Sequence, residues 1–544
     1  MADRPAHRGR PDPRRRPDVL LIMTILISGG TVVDPFDGQF IADVLVDGDR
    51  VVAIGRDLAS ARRPDQTLDA SGLLIMPGGI DAHSHTDARI LDEDVQLALL
   101  RSGVTTVITG QDGVSFAPGD GRYAADYFGS LNGAHPSYRG DGVAGLLRGY
   151  DGRTRLNVGY LLPAGTIRYE VMGRESRRPS ADELATMIAM VEAGLTDGAL
   201  GLSSGLDYVP GTFADVDEFA ALCAPVAATG GVFVSHIRGY EENAGPGVAE
   251  LVEICRRSGV AGHVSHFHAR PELIKELLDR ASGSGVELTW DAYPYFRGFT
   301  LLSMVLLPPE LIMLGNAEAT ARLRDPAERE RLTQGFEQRV HTTENLGDGW
   351  ADRVRIADAG TPGGVDLDGL TLAEAGDRRG LDPLQLGYQV LADSELMATT
   401  VMEIPKPRTD DQLARQFALP AACSGSDGIF LGGSPHPRGF GCLARMYGVF
   451  GRQRRDFDWP QLSMIGAGRA ASRFGLGDRG RVRVGGSADL VLMDPERITD
   501  RADYAHPRRL SEGIDRVLVR GRLVLDGGEL TDDLAGGSVR PSPR

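Results

Sequence analysis

Lysine is almost absent from this 544-residue chain: Lys275 and Lys406 are the only two, and every other basic side chain is arginine. Chemistry built on a lysine therefore has only those two positions to use. Cysteine is nearly as scarce. Cys223, Cys255, Cys423 and Cys442 form no C-x-x-C pair and lie far apart, which fits free thiols in a reducing compartment better than a disulfide framework. No apolar run approaches the ~18 residues that span a bilayer, which argues against an integral membrane protein. Positive charge is in deficit too. The net charge is −16, whereas a nucleic-acid partner needs a basic face. What is present, 42% hydrophobic and 25% charged residues, suits a cytoplasmic globular protein of several domains, or one large barrel with an attachment.

The first 23 residues are rich in Pro and Arg and run into the apolar VLLIMTILI. They read as a disordered or misassigned leader, with Met23 a second candidate start. A secretion signal is the other reading, although no small-residue cleavage site follows. From residue 24 to 76 come short β runs with Gly and Asp turns, such as TILISGG and ADVLVDGDRVVAIG. The same texture returns over 480–528, in GRVRVGGSADLVLMDP and DRVLVRGRLVLDGGEL. This predicts one small composite β domain formed by both termini.

Residues 77–479 alternate strand and helix. Candidate strands lie at 78–85, 104–110, 156–163, 198–204, 231–237, 261–267, 286–293 and 420–427, with helical runs such as 180–195 and 246–259 between them. Eight strands with crossover helices predict an α/β fold, a (β/α)8 TIM-type barrel whose chemistry sits at the carboxyl ends of the strands. The gap before the last strand exceeds what one helix requires. It predicts an inserted lid-like segment around 300–419. The Gly-, Ser- and Pro-bearing tail, 529–544, is expected to fray.

The strongest chemical signal is IDAHSHTD. His83 and His85 lie two apart at a predicted strand end, so both imidazoles face one side, as a divalent-metal site requires. His236 ends VFVSH and His266 ends HVSH, corresponding places on the fifth and sixth strands. His263 has the opposite strand parity and falls outside the site. Asp427, in SGSDG, reaches the rim on the eighth strand, where a carboxylate can bind metal and take a proton from water. It also reads as an N-cap. Asp112, in TGQDG, is a further inward acid or an ordinary turn residue.

Together these residues resemble the amidohydrolase superfamily, and more closely its D-aminoacylases, the N-acyl-D-amino-acid deacylases. The resemblance rests on PGGIDAHSHTD, SGVTTVITGQDGVSFAPG, GALGLSSGLDYVPGTFA, VSHIRGYEE, VSHFHA, DAYPY, GSDG with HPRGFG, and GGSADLVLMDP. It implies hydrolysis of a linear amide, most simply an N-acyl-D-amino acid, to a carboxylate and a D-amino acid. The agent would be a metal-activated hydroxide, with Asp427 as general base and acid. One or two Zn2+ ions are implied: His83, His85 and Asp427 match the weaker metal position, His236 and His266 the tighter one. The best-studied members of that family carry Cys where this chain has Asp112, a harder ligand. Tyr208, His268, Tyr293 and Arg438 match substrate-binding positions. Arg438 suits a carboxylate, though a structural salt bridge is its other reading. His268 stands where Lys is usual, and Arg297, Gly298 and Phe299 replace A-G-S or A-G-T.

The carboxylated lysine of hydantoinases is not expected, because the fourth strand has none. Another amidohydrolase activity, on a dipeptide or cyclic amide, and a catalytically silent barrel remain as alternatives. The expected partner is a small molecule, with neither nucleic acid nor membrane involved and the oligomeric state open.

Overall fold

Runs such as VTTVIT and NVGYLLP bury every residue. A strand apolar on both faces belongs in a parallel sheet covered by helices. That is where both lie in the computed structural model, which describes residues 23–61, 63–341 and 346–542. Eight parallel strands follow in chain order around a barrel. They are β1 (Gly79–Asp81), β2 (Val104–Thr109), β3 (Asn157–Pro163), β4 (Gly201–Gly205), β5 (Val232–His236), β6 (Ala261–Val264), β7 (Leu288–Ala292) and β8 (Ala422–Ser424). The ring closes where the Ala82 amide donates to the Ser424 carbonyl at 3.0 Å and Ser84 bridges Gly428 in parallel. The expected (β/α)8 architecture is present, with strands shorter than their sequence runs.

Helices connect the strands and start where the side chains cap them. At Ala181–Asp197 the Ser180 hydroxyl accepts from the Glu183 amide at 3.3 Å, and the Glu183 carboxylate accepts from the Ser180 amide at 2.7 Å. Two otherwise orphaned donors are thereby satisfied.

A second sheet draws on both ends of the chain. Thr24–Asp34, Gly38–Asp47, Arg50–Gly55, Gln66–Asp69 and Leu74–Pro77 supply one half, and Leu490–Met493, Ile514–Val519, Arg522–Asp526 and Glu529–Leu530 the other. The halves meet where Leu490–Met493 runs antiparallel to Leu74–Pro77. This sheet has its own apolar core, built around Ile27, Val44, Ile75, Leu490 and Leu518. No helix among the described residues is long and apolar enough to cross a membrane.

Between β7 and β8 the chain forms a three-stranded antiparallel sheet from Arg297–Leu301, Val354–Asp358 and Thr399–Glu403. Helices Asn316–Arg324, Pro326–Arg339 and Pro383–Asp393 accompany it. The charged run 308–336 reads as helical from sequence, which fits the first two of these helices, but the sheet was not legible, because its strands are far apart along the chain.

The expectation of a frayed tail is corrected by the structure. Glu529–Leu530 extends the terminal sheet, and Gly537–Ser538 pairs in parallel with β3. Gly536 lies so close to the Leu156 backbone that any Cβ would collide with it. Glycine there serves close packing rather than looseness. The leader expected over 1–23 lies outside the described residues apart from Met23.

Candidate active site

The loops that leave the strands carry the chemistry. His236 ends β5, but His83, His85, Asp112, His266 and Asp427 all lie just beyond the strands that the sequence assigned to them. Asp112, His266 and Asp427 have φ values of 56°, 31° and 49°. This left-handed backbone is uncommon outside glycine, although Asp and His populate it more readily than most residues. Such strain collects at functional sites held by their surroundings. Here the restraint is a set of backbone bonds: the Asp427 amide donates to the His83 carbonyl at 2.8 Å, and the His85 amide to the Gly428 carbonyl at 3.1 Å. The loops after β1 and β8 are stitched together, which sets Asp427 against His85.

The six expected ligands converge at the barrel mouth. His85 Nε2 lies 3.3 Å from Asp427 Oδ1 and 3.5 Å from Asp112 Oδ2. Asp112 Oδ1 lies 3.6 Å from His83 Nε2 and 3.8 Å from His266 Nε2. His236 Nδ1 stands 3.9 Å from Asp112 Oδ2 and 3.0 Å from His266 Nε2. The Asp112 carboxylate therefore sits in the middle of the cluster, with Oδ1 facing His83 and His266 and Oδ2 facing His85 and His236. Two trios bring their ligand atoms within 4.8 Å of one another: His83, Asp112 and His266, and His83, His85 and Asp427. His236 borders the first trio.

The donor set fits a divalent metal. Both nitrogens of His83 and Asp112 Oδ1 are buried without a hydrogen-bond partner, a costly arrangement unless something else satisfies them. Histidines that bind metal usually give their other nitrogen to a carboxylate or carbonyl. His85 Nδ1 meets Asn132 Oδ1 at 3.1 Å, His236 Nε2 meets Asp207 Oδ2 at 3.3 Å, and His83 Nδ1 faces Asp291 Oδ2 at 3.6 Å. Burial opposes charge on His85, yet the Asp112 and Asp427 carboxylates outweigh it and lift its pKa to about 10. A local field that strong is what a bound cation would satisfy. Burial likewise opposes ionisation of Asp112, but His83, His266, His85 and His236 hold it well below the usual carboxylate range.

Asp291 was quoted within DAYPY but not picked out from the sequence. It is fully buried and accepts from the His266 amide at 2.9 Å, while His263 Nε2 lies 2.9 Å from its other oxygen. Burial would raise its pKa, but His83 and His263 together pull it below the ordinary value. Gly425 is glycine because any Cβ would strike the Asp291 carboxylate. Its position at the end of β7 follows the logic that selected Asp427. Asn132, the last residue of the helix Arg122–Asn132, and Asp207, in the loop after β4, carried no signal in the sequence, since only the fold brings them near.

Tyr208, His268 and Tyr293 line a cavity of about 160 Å³ above the cluster, together with Phe299, Met402, Ile404 and Arg408 from the insert and the segment after it. Burial raises the pKa of both tyrosines, so each hydroxyl stays protonated. Arg438 is fully buried behind the cavity wall, with Nη2 2.8 Å from Asp427 Oδ2 and its guanidinium 4.4 Å from the centre of the Tyr293 ring. Its Nε and Nη1 make no hydrogen bond. Burial would raise the Asp427 pKa, but Arg438 and the neighbouring imidazoles bring it down to about 2. β4 carries no lysine, and Lys275 sits on an outer helix, paired with Asp279 at 2.6 Å.

An amidohydrolase family model matches residues 66–525. The chain belongs to the amidohydrolase family. N-acyl-D-glutamate deacylase of Alcaligenes xylosoxydans xylosoxydans is 29% identical over 92% of this chain and 93% of its own length. The D-aminoacylase of the same organism is 28% identical over 94% and 96%. The crystal structure of a D-aminoacylase superposes with a TM-score of 0.79 at 27% identity, covering 96% of this chain and 100% of that one. An N-acyl-D-glutamate deacylase from Bordetella bronchiseptica, solved with zinc and a phosphonate mimic of the tetrahedral intermediate, gives 0.79 at 28% identity over 95% and 100%.

Proposed function

We propose that this amidohydrolase hydrolyses N-acyl-D-amino acids, releasing a carboxylate and a D-amino acid, with zinc as its metal. The observation that carries the reading is the meeting of four imidazoles and two carboxylates beneath a cavity at the barrel mouth. His83, His85 and Asp427 would hold one ion, and Asp112, His236 and His266 the other. Zinc, when bound, supplies a water acidic enough to attack at neutral pH and a Lewis acid for the acyl oxygen. Asp427 stays ionised because Arg438 and the imidazoles hold its pKa down to about 2 against the effect of burial, so it can take the proton of the attacking water. It then passes that proton to the departing nitrogen as the C–N bond breaks. Tyr208 and Tyr293 keep their hydroxyl protons and can donate to the developing oxyanion.

Arg438 acts first on Asp427. The two donors it leaves unbonded are the reason to assign it the substrate's carboxylate. Four buried, unpaired cysteines support a cytoplasmic location, and the expected partner is a small molecule.

The deciding experiment is a hydrolysis screen of N-acyl-D- and N-acyl-L-amino acids with and without added zinc. The reading expects zinc-dependent turnover confined to the D series. Turnover of a dipeptide or lactam, with none on any N-acyl-D-amino acid, would overturn it.

A further inference from the structure

His268 and Arg408 form a corner of the cavity that catalysis at the metal cluster does not use. Arg408 Nη1 lies 2.9 Å from His268 Nδ1. A guanidinium can only donate, so Nδ1 must be the accepting nitrogen and the imidazole proton sits on Nε2. That Nε2 is buried without a partner, and so is Arg408 Nε. Both residues line the cavity, and the Arg408 side chain is only 9% exposed. Two buried N–H donors with nothing to donate to are expensive in a finished protein unless a ligand completes them.

The surroundings narrow the choice of ligand. Glu241 Oε1 stands 3.9 Å from Arg408 Nη2, and with His268 on Nη1 it fixes the orientation of the guanidinium, leaving the Nε edge for a ligand. Phe296, Phe299, Met402 and Ile404 give the same cavity an apolar lining, interrupted by Thr300 and Tyr240. A charged donor set in an apolar wall selects for an oxyanion.

We propose that the His268–Arg408 corner receives a second carboxylate of the substrate, remote from the amide that is cleaved. This rests on the reading of the protein as a hydrolase of N-acyl-D-amino acids. The second carboxylate has two possible sources, the side chain of an acidic D-amino acid or a dicarboxylic acyl group. Arg408 is then a specificity residue contributed from outside the barrel strands.

The test compares kcat/KM for N-acetyl-D-glutamate, N-acetyl-D-leucine and N-succinyl-D-leucine, with zinc, in the wild type and in Arg408→Met and Arg408→Lys. The wild type should prefer one dicarboxylate over N-acetyl-D-leucine, and which one identifies the source. Losing a charge-assisted bond should cut that preference roughly 10- to 100-fold in Arg408→Met. Arg408→Lys, which keeps the charge but not the fork, should retain part of it. Hydrolysis of N-acetyl-D-leucine with neither dicarboxylate preferred in the wild type would overturn the proposal and leave the broader reading intact, without relying on any variant to fold. An unchanged preference in a folded Arg408→Met would do the same. Failure to hydrolyse any of the three would overturn the broader reading and the proposal with it.

Discussion

Asp427 is held between a cation and an imidazole, 2.8 Å from Arg438 and 3.3 Å from His85. Converting it to Asn keeps the shape but removes the proton acceptor. Asp427→Asn should lower kcat by ~10²- to 10⁴-fold while the purified protein keeps metal at its other ligands. Metal analysis beside steady-state kinetics checks this, and turnover near wild type would reduce Asp427 to a capping residue. A second residue governs stability rather than catalysis. His135 Nδ1 accepts from the Ser137 and Tyr138 amides at 3.3 and 2.9 Å, and burial with Arg153 and Arg139 nearby pushes its pKa from 6.5 to about 4. As pH falls below 6.5 the unfolded chain takes up this proton first. The contribution of His135 is therefore whole above that pH and is lost progressively down to about 4, by up to ~3 kcal/mol. His135→Asn should flatten that part of the profile. Urea midpoints at pH 7.5 and 4.5 test it, and equal losses in both proteins would refute the assignment. At this scale the histidines were legible, because each ends or follows an apolar run. Asp291, Asn132 and Asp207 were not, since each meets a histidine from a neighbouring stretch of the barrel that is remote in sequence.

The strands themselves were legible as apolar runs, but their ends were not. β1 was expected over 78–85 and stops at Asp81, and β6 was expected over 261–267 and stops at Val264. Hydrophobic pattern continues into the catalytic loops because those loops are buried as well: His83, His85 and His266 are at most 6% exposed. Backbone sign is invisible in such a pattern. Asp112 at φ 56° makes this testable. Asp112→Asn suits the same backbone and removes the charge, so it should fold like wild type and lose zinc affinity. Asp112→Cys supplies a softer ligand and should bind zinc more tightly, while the left-handed position costs it ~1–2 kcal/mol of stability. Zinc competition against a chelator, paired with thermal melts, separates the two effects. Unchanged affinity in both variants would make Asp112 a turn residue. The helical run at 180–195 was legible, and the capping pair that starts it, Ser180 and Glu183, is a finding of the structure; Ser180→Ala should cost ~1 kcal/mol in a chemical melt, with activity retained.

The barrel and the sheet built from both termini follow from the order of runs along the chain, and both are present in the molecule. What composition misjudged is the last segment. Val539 is 3% exposed and joins Ile80, Ile108, Leu161, Val232 and Val234 from the strands, together with Ala470, Ala471 and Phe474, in one apolar cluster. Ser538 donates its amide to Asp151 Oδ1 at 2.7 Å, and Arg520 Nη2 donates to the Ser538 carbonyl at 2.9 Å. A polar, glycine-bearing tail looks dispensable because its few apolar anchors, Leu530, Ala535 and Val539, are outnumbered. Its hold depends on backbone pairing with β3, which composition does not record. If the tail is a working part of the barrel, ending the chain at Gly528 uncovers that cluster and leaves Arg520 without the Ser538 carbonyl. The truncated protein should melt several degrees lower than wild type. Val539→Ala should lose ~1–2 kcal/mol from reduced burial. Val539→Asp should lose more, because a carboxylate among aliphatic side chains has no partner there. That ranking, wild type above Val539→Ala above Val539→Asp, is specific to an inserted side chain. Equal melting temperatures for all of these proteins would mean that the tail rests on the barrel without supporting it.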